Sequence, residues 1–281
     1  MLALITIDLE DWFQVENLRP IFPHEVWNSC EYRVEKSTDT LLKLFDEKGV
    51  KATFFVLGWV AERSPSLIRR IVSEGHEVAS HGHDHSLLTE KDQSGLRKDI
   101  SRSKALLEDI IGMRVLGYRA PSFTISNTLL MTLKELGFLY DSSLNDFGLH
   151  GRYGRLDLEG FKRVEEKGGF YKLDGILEIP VTNLRLGQRQ IIPWAGGGYF
   201  RLIPGWIFNQ GIRQILRKKG HYVFYCHPWE FDPSQPRIRE LRWDRRFRHY
   251  VGIKKTLTKF ERLLDNLHSM GAKFTTCMSA L

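Results

Sequence analysis

The sequence predicts an α/β fold, a distorted (β/α) barrel of parallel strands with outer helices, and three observations carry that reading. Short apolar runs alternate with amphipathic stretches through the first half of the 281 residues. The amphipathic stretches begin and end at capping residues, and polar groups follow the apolar runs, where a parallel barrel gathers its chemistry. Residues 2–7 open as a buried strand. Residues 34–48 repeat apolar side chains at Leu41, Leu42, Leu44 and Phe45 and stop at Gly49, as a helix does. Strand 52–56 follows, then a helix over 65–75 with Ser64 as its cap and Pro65 at its first position. Strand 77–79 precedes a long surface helix, 93–111, which ends at Gly112. Strand 117–119, helix 127–137 behind Ser126, and strand 138–141 continue the alternation. Residues 145–172 are rich in Gly, Arg and Asp without a sustained period and read as an insertion or lid. Order returns with 176–181, glycine-dense 195–200, helix 204–217, strand 222–226, a helix over 250–270 and a last strand at 273–276.

A chain of this length supports one domain over 1–281. The hydrophobic fraction of 42% and charged fraction of 27% are those of a globular protein. No apolar run reaches the roughly 20 residues of a membrane-spanning helix. Met1 leads directly into the first strand without a basic n-region, which predicts a cytoplasmic protein, with the inner face of the membrane as the second option. Cys30, Cys226 and Cys277 are too scattered for a disulfide framework and read as buried thiols. The formal charge of +7 is concentrated in the arginines of residues 237–248. That segment reads first as an exposed basic loop and helix start, then as a contact for an acidic glycan, a lipid-linked phosphate or a membrane face. No nucleic-acid motif accompanies it, so nucleic acid is not expected as a partner. A homo-oligomer is compatible with the sequence.

Collecting the residues that follow each strand gives a coherent set: Asp8, Glu10 and Asp11, then His81, His83 and His85, then Arg119, Asp141 and His227. His81 and His85 lie four apart, and on one helical turn both imidazoles would point the same way, as a divalent metal requires of two nitrogen ligands. Taken singly, His227 reads as a structural histidine and Arg119 as an ion-pair partner. Five strand ends with complementary groups on one rim favour a hydrolytic metal site, its third ligand coming from the acidic cluster at residues 8–11.

With those residues in place, the chain from about residue 2 to 230 resembles the NodB-homology polysaccharide deacetylases, carbohydrate esterase family 4. Thr6-Ile7-Asp8 is similar to the start of that family's Thr-Phe-Asp-Asp motif, His81 to His85 to its H-[ST]-x-x-H motif, and Arg119-Ala120-Pro121 to its R-x-P motif. His227 stands where the family has a late histidine. Residues 231–281 read as an extension completing the barrel. Asp8-Leu9-Glu10-Asp11-Trp12-Phe13, Gly196-Gly197-Gly198-Tyr199-Phe200-Arg201 and the stretch from His227 to Pro233 further resemble deacetylases of exosortase/PEP-CTERM exopolysaccharide loci. Broader relatives include a peptidoglycan deacetylase and a metal-independent, allantoinase-like hydrolase.

The resemblance implies a divalent metal, zinc first, held by His81, His85 and Glu10, with Asp11 the alternative carboxylate because the acidic motif is one residue longer than the family's. Strand alternation puts Asp8 and Glu10 on one face and favours Glu10. It further implies Asp8 as general base, Arg119 as its orienting partner, His227 as general acid and Asp141 as the group that orients that histidine. Gly82 stands where the family has Ser or Thr, and His83 is expected to point away. The implied reaction removes N-acetyl groups from an N-acetylhexosamine polymer or its lipid-linked, possibly acidic, precursor. An amide hydrolase of small substrates and a non-catalytic glycan binder are the alternatives.

Overall fold

The computed structural model describes the chain apart from residues 88–89, 146–162, 166–169, 174 and 187–189. Strand β1 (Leu2–Leu9) is the centre of the sheet because its alternation serves two interfaces at once. Ala3, Ile5, Ile7 and Leu9 pack under the helices, while Leu4 enters the barrel interior with Phe55, Ala79, Tyr140 and Val223.

Beyond β1 come α1 (Val34–Lys48), β2 (Thr53–Val56), α2 (Gly58–Arg63), α3 (Pro65–Ser73), β3 (Glu77–Ser80) and α4 (Gln93–Ile111). The chain continues through β4 (Gly117–Tyr118), α5 (Asn127–Glu135), β5 (Tyr140–Asp141), β6 (Arg163–Glu165), β7 (Tyr171–Leu173) and β8 (Ile176–Glu178). Next are β9 (Asn183–Leu186), β10 (Gln190–Pro193), α6 (Gly197–Leu202), α7 (Gly205–Lys219) and β11 (His221–Cys226). Helices α8 (Trp243–Tyr250) and α9 (Thr256–Ser269) and strand β12 (Lys273–Phe274) complete it.

The sheet runs β11-β1-β2-β3-β4-β5-β8-β7-β6, parallel from β11 to β8, with β12 also pairing with β1. It curls into the predicted distorted barrel. Between β8 and β11 the wall is joined by Thr182, whose N–H donates to the Val223 carbonyl and whose Oγ1 accepts from Val223 N–H. The C-terminal third therefore supplies both β11 and β12 to the sheet that β1 begins.

Helices α1 and α4 have the bounds expected from their apolar periods, and Ser126 caps α5 through Leu129 N–H at 3.1 Å. Other expectations need correction. Ser64 does not cap α3; its hydroxyl meets Glu35 at 2.5 Å and Tyr32 at 2.6 Å instead. The helix expected over 250–270 starts only at Thr256, because the chain turns at Gly252 with φ 71°, where a Cβ would come within 2.8 Å of the Arg201 carbonyl oxygen. Part of the expected lid over 145–172 is the antiparallel pair β6 and β7; most of the remainder lies outside the described residues.

Candidate active site

The carboxyl ends of the strands meet in a cleft of about 460 Å³ lined by Asp8, Glu10, His81, His85 and His227. Ser122, Phe123, Asn145, Asn183, Tyr199 and Trp243 form more of its wall. Three described residues other than glycine have positive φ, His85, Ser122 and Phe123, and all three line this cleft. Strained backbone of this kind persists where surrounding structure holds functional side chains in place.

Glu10, His81 and His85 are buried, with one ligand atom from each lying within 4.8 Å of the others. The two histidines converge without the expected helical turn. Residues 81–85 form an irregular bend in which Gly82 (φ 75°) and His85 (φ 56°) both take left-handed backbone. A Cβ at Gly82 would meet Asp99 Oδ2 at 2.9 Å, so a side chain there would have to displace Asp99 and take up left-handed backbone. His81 Nδ1 lies 2.7 Å from the Arg119 carbonyl, which can only accept, so Nδ1 carries the proton and Nε2 is left as a donor atom for a metal. Burial lowers the His81 pKa to about 4 and keeps the ring neutral. Glu10 Oε2 sits 2.8 Å from His85 Nε2 yet lacks a hydrogen bond of normal geometry. Burial alone would raise the Glu10 pKa, but His85 and His227 outweigh it and hold it at about 2. A neutral imidazole and a buried, ionised, under-satisfied carboxylate, beside a second imidazole, fit a divalent cation. His83 turns away, as expected, to Glu62 at 3.1 Å.

Asp11 is not part of this set. Its Oδ2 accepts from Arg33 N–H at 2.6 Å and Val34 N–H at 2.9 Å, and its Oδ1 from Trp12 N–H at 2.7 Å. The side chain caps α1 from a distance, satisfying amide groups that a helix start leaves unpaired.

Arg119 is fully buried behind Asp8. Its Nη1 donates to Asp8 Oδ1 at 2.7 Å and Thr6 Oγ1 at 2.8 Å, its Nη2 to Ser142 Oγ at 2.8 Å, and its Nε to the Ser142 carbonyl at 3.1 Å. The guanidinium also lies 4.0 Å over the Phe55 ring. A carboxylate fixed in this way keeps one orientation, with Oδ2 turned toward His227 Nε2 at 3.9 Å.

His227 Nε2 faces Asp8 and Glu10, while Nδ1 meets Glu230 Oε1 at 2.9 Å. Glu230 in turn accepts from buried Arg201 at 2.7 Å. Burial would lower the His227 pKa, but the charges of Glu10, Glu230 and Asp8 together with the Glu230 bond raise it to about 9. This corrects the role expected of Asp141. Its carboxylate is taken up by Ser143 at 2.6 Å and by the neighbouring Glu178, and Ser143 Oγ accepts from Ala120 N–H at 2.8 Å. Asp141 thus braces the backbone after Arg119, and Glu230 is the carboxylate beside His227. Glu230 and Arg201 both lie in stretches singled out in the sequence, His227 to Pro233 and Gly196 to Arg201, but the sequence assigns neither residue a role there.

The curled parallel sheet thus brings a His/His/carboxylate cluster, an Asp–Arg pair and a late histidine together at its carboxyl rim. Residues 26–140 match the family model described as polysaccharide deacetylase, and residues 142–279 match one described as a domain of unknown function (DUF3473). The peptidoglycan deacetylase of Helicobacter pylori is 37% identical over 112 residues, covering 38% of this chain and 37% of that protein. The chain spans about a third of the length of the first curated relatives it matches. Among solved structures, a family 4 acetyl xylan esterase from Clostridium thermocellum in complex with a cobalt ion superposes with a TM-score of 0.53 at 17% identity, covering 99% of this chain and 89% of that one. A family 4 pseudoenzyme from Bacillus anthracis gives 0.55 at 11% identity, covering 99% and 64%. Those two establish the fold alone. By family model, residues 26–140 are similar to polysaccharide deacetylases, and the likeness to these relatives extends over 107 to 112 residues.

Proposed function

We propose that this protein is a metal-dependent hydrolase that removes N-acetyl groups from an N-acetylhexosamine-containing polysaccharide or its lipid-linked precursor. The observation that carries the reading is the meeting of Glu10, His81 and His85 with the Asp8–Arg119 and His227–Glu230 pairs in one cleft. Glu10, His81 and His85 would hold a divalent ion, for which zinc is the first choice from the nitrogen and carboxylate donors. When bound, that ion supplies Lewis acidity and lowers the pKa of a coordinated water toward about 7.

The protein's own groups account for the remaining steps. Asp8, held by Arg119, takes the proton of the attacking water at Oδ2, the oxygen Arg119 leaves free. His227, in its protonated form, delivers its Nε2 proton to the departing amine. Nδ1 stays on Glu230, which fixes which nitrogen faces the cleft. Acetate and a free glucosamine-type amine are the products. Cleft-wall aromatics such as Phe123 and Tyr199 offer flat faces for sugar rings.

Residues 1–281 are read as one deacetylase domain, supported by β11 and β12 flanking β1. The three unpaired thiols support a cytoplasmic site of action. The motif resemblance to exosortase-locus deacetylases supports a place in exopolysaccharide or cell-wall biosynthesis, with lipid-linked intermediates met at the inner face of the membrane. The test is acetate release from N-acetylated oligosaccharides and peptidoglycan fragments by the zinc- or cobalt-loaded chain. A folded, metal-loaded preparation that binds these glycans and releases no acetate sinks the proposal in favour of glycan binding without turnover.

A further inference from the structure

The cleft wall carries an exposed apolar surface that takes no part in the chemistry above. On α8, Trp243 is 75% exposed and Phe247 56%, and their spacing of four puts both on one face of the helix. Leu202, at the end of α6, is 54% exposed and lines the same cleft wall as these two rings. Single exposed apolar side chains are ordinary; an indole, a phenyl ring and a leucine sharing one wall form a patch. Arginines surround it. Residues 237–248 hold six arginines against Glu240 and Asp244, and Asp244 is already paired with Arg242. Arg237, Arg239 and Arg246 line a shallow groove with Trp243 and Phe247.

Exposed Trp and Phe among arginines, on a short helix lying at the surface, match the chemistry of a bilayer interface. The rings enter the headgroup boundary and the guanidinium groups meet lipid phosphates. A second copy of this chain would set the same arginines against one another across a two-fold axis, which like-charge repulsion opposes. We infer that α8 and the segment leading into it dock this protein on an anionic lipid bilayer, with the mouth of the cleft at the membrane surface. The dock is tied firmly to the site. His249 stacks on Trp229 at 4.4 Å, Trp229 stacks on His227 at 5.3 Å, and Arg201 donates to the carbonyls of Arg248, His249 and Val251 as well as to Glu230.

This deepens the membrane-side reading above, but its test needs no turnover. The full chain is sedimented with phosphatidylcholine vesicles with and without phosphatidylglycerol, at low and high salt. Binding to the phosphatidylglycerol vesicles alone, released by salt, is expected. Arg239→Gln with Arg246→Gln is expected to weaken it roughly twenty-five-fold, at about fivefold per charge near an anionic surface. Trp243→Ser with Phe247→Ser should weaken it several-fold, and brominated lipid should quench the fluorescence of the parent more than that of this variant. A chain that stays in the supernatant with anionic vesicles at low salt overturns the inference. So does binding indifferent to both variants once circular dichroism has shown them folded, or binding to a soluble acidic polysaccharide in place of vesicles. Vesicle binding without acetate release would leave the dock standing and remove the deacetylase reading; acetate release without vesicle binding would do the reverse.

Discussion

Glu230 accepts two hydrogen bonds from His227, one from its backbone N–H at 3.1 Å and one from Nδ1 at 2.9 Å, so a single carboxylate fixes both the position of the residue and the tautomer of its ring. If His227 is the acid, activity needs its protonated form and is lost as pH rises through its pKa. Removing the negative charge in Glu230→Gln lowers that pKa, so the alkaline limb of kcat should move to lower pH, with kcat at neutral pH down on the order of tenfold or more. A purely structural Glu230 would lower the amount of folded protein and leave the limb where it was.

The choice between Glu10 and Asp11 is open to a measurement that needs no substrate. Zinc or cobalt at a hundredfold excess over Kd should stabilise the folded chain by about 2.7 kcal/mol and raise Tm by several degrees. Glu10→Gln and His81→Ala should abolish the rise. Asp11→Asn should keep it while lowering the starting Tm modestly, since one amide oxygen can serve either the start of α1 or Trp12 N–H and not both. The opposite pattern, a rise that survives Glu10→Gln and disappears in Asp11→Asn, would move the ligand to Asp11.

What the sequence made legible, and what it did not, follows from the range of the interactions involved. The alternation in β1 put Asp8 and Glu10 on one side, and strand-end counting brought His81, His85, Arg119 and His227 to one rim. Those inferences use local period and one rule of barrels. The role of Asp11 depends on α1 starting 23 residues later, against Val34, and the displacement of Asp141 depends on Glu178, a buried neighbour on β8. Contacts of that length leave no trace in local pattern. The spacing of 81–85 predicts a helical turn where the structure has a bend for a related reason: periodic spacing suggests where side chains point, but a positive φ at His85 needs tertiary support to exist.

Arg119 and Asp8 form a buried ion pair whose partners are almost fully shielded from solvent. Losing one partner of such a pair leaves a charge without compensation, which costs about 3–5 kcal/mol. Arg119→Met should therefore lower both stability and kcat. Asp8→Asn keeps an oxygen for Arg119 and should fold better than Arg119→Met, yet lose on the order of 10²–10⁴ in kcat through loss of the base. Equal activity in Asp8→Asn and the parent, at equal metal content, would remove Asp8 from the reaction.

Acid stability gives a prediction independent of the site. His76 is buried against Phe45 and Phe54, and its Nδ1 accepts from Ala52 N–H at 3.1 Å, so that nitrogen carries no proton in the fold. Burial, helped by the charge of Lys51, lowers its pKa to about 4, against about 6.5 in an unfolded chain. Above that unfolded value both states are neutral and the contribution is intact. As pH falls toward 4 the unfolded chain takes up a proton that the folded one refuses, and stability drops by up to roughly 3 kcal/mol from this residue. His221 and His249, lowered to about 4 and about 3 by burial, act in the same direction. His76→Asn removes the titration while offering Ala52 an oxygen. Urea melts should show the variant less stable than the parent at neutral pH, through lost ring packing, with the gap narrowing as the pH approaches 4. Parallel losses in the two proteins over that interval would mean that His76 is protonated in the fold, and that its bond to Ala52 is not what holds the start of β2.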